Sequence, residues 1–437
     1  MPRQSEGIDP LAKTRAGWNA RHNAIVENAM WITHYHQENS VREYTIENPG
    51  LRIDLRKLRK YTELEVLHIV ENDYFVIVDG VLFSKDRKIL LFYPIGKKDK
   101  SYHIPEGTES IGLRAFQTAR YLKNVTMPPT VRRIYEGAFF GCESLESIAM
   151  SDAITEIPGI SELTHDGVFE QCKHLHTVVF PKNLEYIGAR AFLDCGKLDI
   201  KIPDGVEYIG DYAFAAYSYP ENYYYNRKAY VPTNREKCEI PHTVKRIGTG
   251  ALSGMKHVIV HEGTARGLIC AIEATSAYEP TMAPTKMEWS ACRISMIGRD
   301  GVTRPIRIPS TLKVETRKIL DMAWNRDTFD FGLYAKCIEG IGDTQEKLAF
   351  ALEFHRLDVG EGIILDYLRR VAPKLASQCV SEKREDELVT LLQYQLLTPE
   401  TMKKLLAQCN KKNLSVAAAY ILETLHTTKM PRASLRL

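Results

Sequence analysis

A short phrase recurs along the chain, and this recurrence constrains the fold more than any other feature of the sequence. Residues 104–116 read IPEGTESIGLRAF, residues 202–214 read IPDGVEYIGDYAF and residues 240–252 read IPHTVKRIGTGAL. The opening dipeptide occurs six times, at steps of 22 to 38 residues: Ile104-Pro105, Met127-Pro128, Met150-Ser151, Phe180-Pro181, Ile202-Pro203 and Ile240-Pro241. Fixed apolar positions at such a period are typical of a solenoid built from stacked repeats.

Each copy continues with an Ile that is usually followed by Gly, then with a pair such as Ala-Phe, and several end in a short alternating segment. We expect the Gly to allow a tight turn with positive φ. Alternation places neighbouring side chains on opposite faces of a strand, and one such strand cannot bury a core alone. The pattern predicts stacked parallel strands at 122–127, 145–150, 175–180 and 198–202. It predicts a buried column of Phe116, Phe139, Phe169, Phe192 and Phe214.

Two of the steps are long enough to contain insertions, which in a solenoid extend from one face as loops. The first lies within residues 151–167. The second lies near residues 217–238 and contains YSYPENYYYNRKAY, with six tyrosines in fourteen residues.

The pattern resembles the BspA-like leucine-rich repeat family, whose repeat reads IPxxVxxIGxxAFxxCxxLxxIxIP. The resemblance covers about residues 100–260, and residues 74–97 resemble the hairpin unit that often interrupts these arrays, turning at Ser84-Lys-Asp-Arg-Lys88. Tyr135 and Thr108 depart from the usual Gly and Val, which we expect to loosen single repeats only. The resemblance implies a bacterial or protist protein with a role in protein binding or surface adhesion.

After residue 310 the apolar period becomes helical. Asp343-Thr-Gln-Glu346 reads as a capping box, Thr398-Pro399 as a helix start, and Pro373 as a kink or a break. This tail resembles the helical C-terminus of some intracellular members of the same family.

The predicted fold class is an α+β repeat protein, in which a leucine-rich-repeat solenoid of short strands is followed by a β-hairpin and an all-helical C-terminal region. Residues 51–70 suggest a further helical stretch near the N-terminus. The predicted regions are a partly helical cap at 1–60, the solenoid at 61–262 with its hairpin unit at 74–97, a connector with a β-hairpin at 263–310, and the helical region at 311–437.

Composition excludes several classes of function and location. The net charge of +3 is too small to indicate binding to nucleic acid or to an anionic membrane. No apolar run approaches the roughly 18 residues of a membrane span, and the N-terminus lacks the apolar core of a signal peptide. Nine cysteines, an odd number without CxxC pairs, indicate a reducing compartment. We expect a cytoplasmic protein.

No motif for catalysis or for a cofactor is present, so we predict no catalytic residue, no cofactor and no metal. Cys142, Cys172 and Cys195 lie in a column where other repeats have Ala or Met, which indicates a core position. His174 and His176 share one strand face but have no clear third metal ligand, and His34 and His36 form a weaker pair.

The predicted function is a non-enzymatic scaffold that binds a protein partner through the strand face of the solenoid and through its insertions. The alternative is an enzyme or a metal-binding protein, with a site in the helical region or in the His/Cys cluster near residue 174. The tyrosines of the second insertion either bind the partner or pack on their own repeat. The candidate binding residues are Lys123, Thr126, Glu146, Ala149, His176, Val179, Lys201, Tyr219, Tyr223, Tyr224 and Tyr225.

Overall fold

The computed structural model describes residues 40–47, 53–161, 164–215, 217–218, 231–232, 236–272, 292–308, 314–357 and 362–427. The chain divides into two compact units, one of residues Met1–Ile308 with Trp324–Phe329 and one of residues Pro309–Ala323 with Asp330–Leu437. The four regional boundaries given above stay a prediction.

The strands within these described ranges are mostly very short. They are β1 (Glu43–Ile46), β2 (Val66–Ile69), β3 (Phe75–Val78), β4 (Val81–Ser84), β5 (Ile89–Phe92), β6 (Ser101–His103), β7 (Ser110–Ile111), β8 (Asn124–Thr126), β9 (Arg133–Ile134), β10 (Ser147–Ala149), β11 (Glu156–Ile157), β12 (Thr177–Val179), β13 (Tyr186–Ile187), β14 (Tyr208–Ile209), β15 (Tyr217–Ser218), β16 (Val231–Pro232), β17 (Cys238–Glu239), β18 (Arg246–Ile247), β19 (His257–His261), β20 (Arg293–Ile297) and β21 (Thr303–Arg307).

Within the same described ranges, the α-helices are concentrated from residue 314 onwards. They are α1 (Leu55–Arg59), α2 (Leu268–Ala271), α3 (Val314–Trp324), α4 (Phe331–Lys336), α5 (Thr344–His355), α6 (Gly362–Ser381), α7 (Glu385–Gln393), α8 (Pro399–Lys412) and α9 (Ser415–Thr427).

Strands β6, β8, β10 and β12 form one parallel sheet, called here the strand-face sheet. Its central residues Val125, Ile148 and Val178 lie opposite one another in register. Three of the four strands predicted from the sequence are therefore confirmed, each shorter than predicted. The fourth is wrong, because residues 198–202 form no regular strand although Leu198, Ile200 and Ile202 are buried. This segment is one residue shorter than its equivalents, so it cannot follow the preceding strand in register.

A second set of strands, each of two residues, contains the Ile of the repeat. Strands β11, β13, β14 and β18 form one parallel sheet. Strands β7 and β9 extend the sheet that begins with β3, β4 and β5. The expectation of positive φ at the Gly after Ile is wrong. The Gly is required because a Cβ on Gly188 would lie 2.0 Å from the backbone nitrogen of Gly159 in the preceding repeat.

The phenylalanine column is confirmed, and it forms a continuous stack through the core. Its five rings are fully buried. Successive centroids are 4.7, 5.2, 5.0 and 5.3 Å apart, from Phe116 to Phe214, with interplanar angles of 13° or less. Each repeat therefore contributes one ring that packs against the ring before it and the ring after it.

A column of thiols runs beside the rings. Cys142, Cys172 and Cys195 are fully buried. Each thiol donates to the carbonyl of a phenylalanine in the preceding repeat, at Sγ···O distances of 2.9, 3.2 and 3.1 Å. Burial raises the pKa of the Cys172 thiol well above its usual value. These contacts confirm the interpretation of the column as core.

The remaining predicted elements are mostly confirmed. The hairpin unit is present as β4 and β5, and the connector hairpin as β20 and β21, with Gly301 at φ 77° in its turn. The helical stretch suggested at 51–70 is confirmed in part, because Leu55–Arg59 form α1 whereas residues 60–70 are not helical. In the C-terminal region Asp343 and Thr398 accept the expected capping hydrogen bonds. Pro373 does not break a helix, because α6 continues through it.

Truncation of one stacked ring tests the column. Phe139→Ala removes a fully buried ring that contacts two others, so we expect the free energy of unfolding to fall by about 3–5 kcal/mol. Urea denaturation measures this change. Tyr74→Ala is the control, since that side chain is 43% exposed. An equal effect of both substitutions would show that the rings do not form the core.

Two residues after each of the first four stacked phenylalanines, the backbone is left-handed, at Thr118, Gly141, Gln171 and Asp194. A Cβ on Gly141 would also lie 3.0 Å from the Thr118 methyl carbon. We expect Gly141→Ala to cost about 1–2 kcal/mol, the usual penalty for an L-residue in this region. Gly342→Ala is the matched control because its Cβ meets nothing. Equal denaturation midpoints for the two variants would contradict the left-handed backbone at Gly141.

Thiol reactivity tests the burial of the cysteines. All nine are free, and eight are buried while Cys270 is partly exposed. Only a thiolate attacks a disulfide reagent, and burial raises the pKa of Cys292 and of Cys337 to about 12. With Ellman's reagent at mildly alkaline pH, we expect at most Cys270 to react rapidly in the native protein and all nine in guanidinium. Rapid reaction of several native thiols contradicts this picture.

Candidate protein-binding surface

Register places the outward side chains of the strand-face sheet in two rows. Thr126, Ala149 and Val179 lie directly opposite one another on neighbouring strands, and His103 extends this row. Thr126 and Val179 are exposed, Val179 to 55%, and Ala149 is half-buried. The predicted residues of this row are thus brought together on one surface.

The second row was not predicted from the sequence. It consists of Ser101, Asn124, Ser147 and Thr177. The Asn124 amide donates to Ser101 Oγ at 3.3 Å, and the Ser147 hydroxyl donates to Asn124 Oδ1 at 2.7 Å. Neighbouring strand residues face opposite sides, so Asn124 must point outward because Val125, the next residue, is buried. The prediction instead placed the outward position one residue earlier, at Lys123 and its equivalents.

Those earlier positions form a charged row at the edge of the surface. Lys123 Nζ lies 2.6 Å from Glu146 Oε1, and the hydrogen bond from Lys123 holds the pKa of Glu146 below its usual value. His176, also a predicted residue, follows in the next repeat and is exposed. The row is therefore a partly exposed ladder of Lys, Glu and His side chains, one from each repeat.

The other predicted binding residues do not join this ladder. Lys201 is exposed on the segment that forms no strand, where its Nζ pairs with Asp199 Oδ2 at 2.9 Å. Tyr219, Tyr223, Tyr224 and Tyr225 lie outside the described residues. Strands β15 and β16 pair antiparallel on either side of these tyrosines.

The histidines proposed as an alternative metal site have other contacts. His174 Nδ1 lies 2.7 Å from the Glu143 carbonyl oxygen, and His176 Nδ1 lies 2.9 Å from Thr177 Oγ1. In the part of the chain that the structure describes, no three His, Cys, Asp or Glu side chains are grouped to hold a metal ion. His34 and His36 lie outside that part.

The structure also bears on membrane insertion. Within the described ranges, no helix has both the length and the apolar character that crossing a bilayer requires.

Comparison with known proteins identifies the repeat. The model of the BspA type leucine rich repeat region matches residues 92–221 in six copies. No match was found among curated proteins.

Several solved structures are similar to parts of the chain. A leucine rich cell surface protein from Faecalibacterium prausnitzii A2-165 is 28% identical over 39% of this chain and 44% of its own, with a TM-score of 0.35. A leucine-rich repeat protein from Eubacterium ventriosum ATCC 27560 is 21% identical over 49% of this chain and 59% of its own, with a TM-score of 0.34. The chain thus spans about half the length of these two proteins.

Six repeats matched by the family model agree with the stacked phenylalanines and with the parallel short strands of the structure. Residues 92–221 are therefore a BspA-type leucine-rich repeat region.

Proposed function

We propose that the protein is a non-enzymatic scaffold and that a protein partner binds the outward surface of the strand-face sheet. One observation carries this proposal. Inward positions stay apolar from strand to strand, whereas the outward row changes from Thr126 to Ala149 to Val179. Packing requires the inward repetition but leaves the outward residues free to vary, so these residues can determine which partner is recognised.

The chemistry of the surface suits a polypeptide partner. Small side chains leave the centre of the sheet flat. Val179, which is 55% exposed, offers an apolar side chain for contact. The Lys123–Glu146 pair at the edge is exposed, so it contributes to specificity and association rate more than to stability. Affinity is then expected to come from the central row.

The proposal includes the tyrosine-rich insertion and a cytoplasmic location. Tyrosines such as Tyr223 and Tyr224 supply large contact area at low cost in side-chain entropy, which favours binding hot spots. Nine free cysteines support a reducing compartment.

The decisive test introduces a large charged side chain into the outward row. Thr126→Arg blocks the centre of the surface without entering the core, so we expect the immobilised full chain to lose its partner from native lysate. The melting temperature should shift by less than about 2 °C, as for an ordinary surface change. Capture of the same proteins by Thr126→Arg and by the unmodified chain contradicts the proposal.

Thr155→Arg is the matched control, because Thr155 is also exposed but immediately precedes β11, which belongs to a different sheet. It should retain capture. A photo-crosslinking amino acid at Val179 should trap the same partner, and one at Thr155 should not.

Replacement of Tyr223, Tyr224 and Tyr225 by Ser distinguishes the two roles of the tyrosines. If they bind the partner, only capture is lost. If they pack on their own repeat, the melting temperature falls.

A further inference from the structure

The end of the helical region contains a tandem repeat of 30 residues. Lys374-Leu375 and Gln378-Cys379 recur as Lys404-Leu405 and Gln408-Cys409, and Leu392 recurs as Leu422. Helices α6 and α7 form the first copy, and helices α8 and α9 form the second. The identities are too few to be evident from the sequence alone.

The turns between the helices are equivalent in detail. Lys383 and Asn413, which are 30 positions apart, are both left-handed, with φ of 58° and 59°. The next amide after each one bonds back to a cysteine carbonyl, at 2.9 Å for Arg384 and 3.0 Å for Leu414. The same chain conformation therefore produces both helical hairpins.

The two hairpins stack as successive layers, because α6 packs against α8 and α7 packs against α9. The second layer therefore covers one face of the first. Leu392 on that face is only 3% exposed, and Ala376 and Leu396 are buried. A face of this hairpin is thus complementary to another hairpin of the same kind.

Among the described residues, the equivalent face of the second layer is exposed. Leu422, the counterpart of Leu392, is 45% exposed. Val416, which is 60% exposed, borders this face, since its counterpart Asp386 is exposed in the first layer as well. Ala419 is exposed between Val416 and Leu422, and Leu406, the counterpart of buried Ala376, is half-buried. We call Leu406, Ala419 and Leu422, together with Val416 at the border, the outer face.

We propose that the outer face binds the outer face of a second copy of this chain, with the two α9 helices antiparallel about a two-fold axis. Within one chain α6 also packs against α5, so the first hairpin already has neighbours on both sides. A second copy then offers its own outer face, and a contact between identical faces is two-fold symmetric.

Charge favours the antiparallel arrangement. Lys411 and Lys412 are exposed immediately before α9, whereas Glu423 is exposed near the end of α9. An antiparallel pair brings these lysines close to Glu423 of the second copy and to the negative end of its helix dipole. It also places Val416 opposite Leu422 of the second copy, so that apolar side chains cover each other. A parallel pair would bring like charges together.

Sedimentation velocity of the full chain over a range of concentrations tests the proposal. We expect a dimer whose dissociation constant rises at least about tenfold in Leu422→Glu, because the new carboxylate would be buried at the interface. Ala419→Glu should act in the same way, since its counterpart Val389 is half-buried in the covered first layer. The matched control is Ala407→Glu, since the equivalent Ser377 stays exposed in the covered first layer.

Far-ultraviolet circular dichroism must show equal helicity in all variants used for this comparison. A native chain that sediments as a monomer at every concentration overturns the proposal, as does a Leu422→Glu variant that dimerises like the native chain. Lys412→Glu should weaken the dimer about tenfold, and adding Glu423→Lys in the same chain should restore it. Failure of this reversal overturns the antiparallel arrangement.

Discussion

Stacking of one aromatic ring on the next, at about 5 Å, sets the geometry on which the repeat region depends. Parallel strands in neighbouring repeats are also separated by about 4.8 Å. The same spacing from one repeat to the next therefore suits both the stacked rings and the strand hydrogen bonds. The buried thiols that reach back to phenylalanine carbonyls use this spacing as well. Because every repeat has to match this spacing, the inward residues hardly vary while the outward ones do.

The repeat core was predictable because it rests on columns of single residues. Phe139 and Cys172 are each fixed by a pattern that recurs several times. The two-residue strands were missed, since a periodicity of two cannot be seen in two residues. Residues 198–202 were wrongly predicted to form a strand. Alternation indicates which side chains are buried, and Leu198 and Ile200 are buried, but it does not show whether the backbone pairs with a neighbouring strand.

The candidate surface was predicted in part for a similar reason. Thr126, Ala149 and Val179 follow from alternation, and the structure confirms that they are neighbours. Asn124 and Ser147 were missed because the segment between Leu122 and Val125 does not alternate strictly. The two helical hairpins share few identical residues, so their equivalence emerges from backbone conformation at Lys383 and Asn413.

The segment at 198–202 also affects how the array responds to stress. The strand-face sheet ends before this segment, and here the repeats are joined by β13, β14 and β18, by backbone hydrogen bonds such as that from the Phe192 amide to the Ala213 carbonyl, and by the Phe192–Phe214 contact. In a solenoid, cooperativity is transmitted only between nearest neighbours. Because this junction lacks the strand-face hydrogen bonds, we expect pulling or partial denaturation to separate the array here more readily than between β8 and β10.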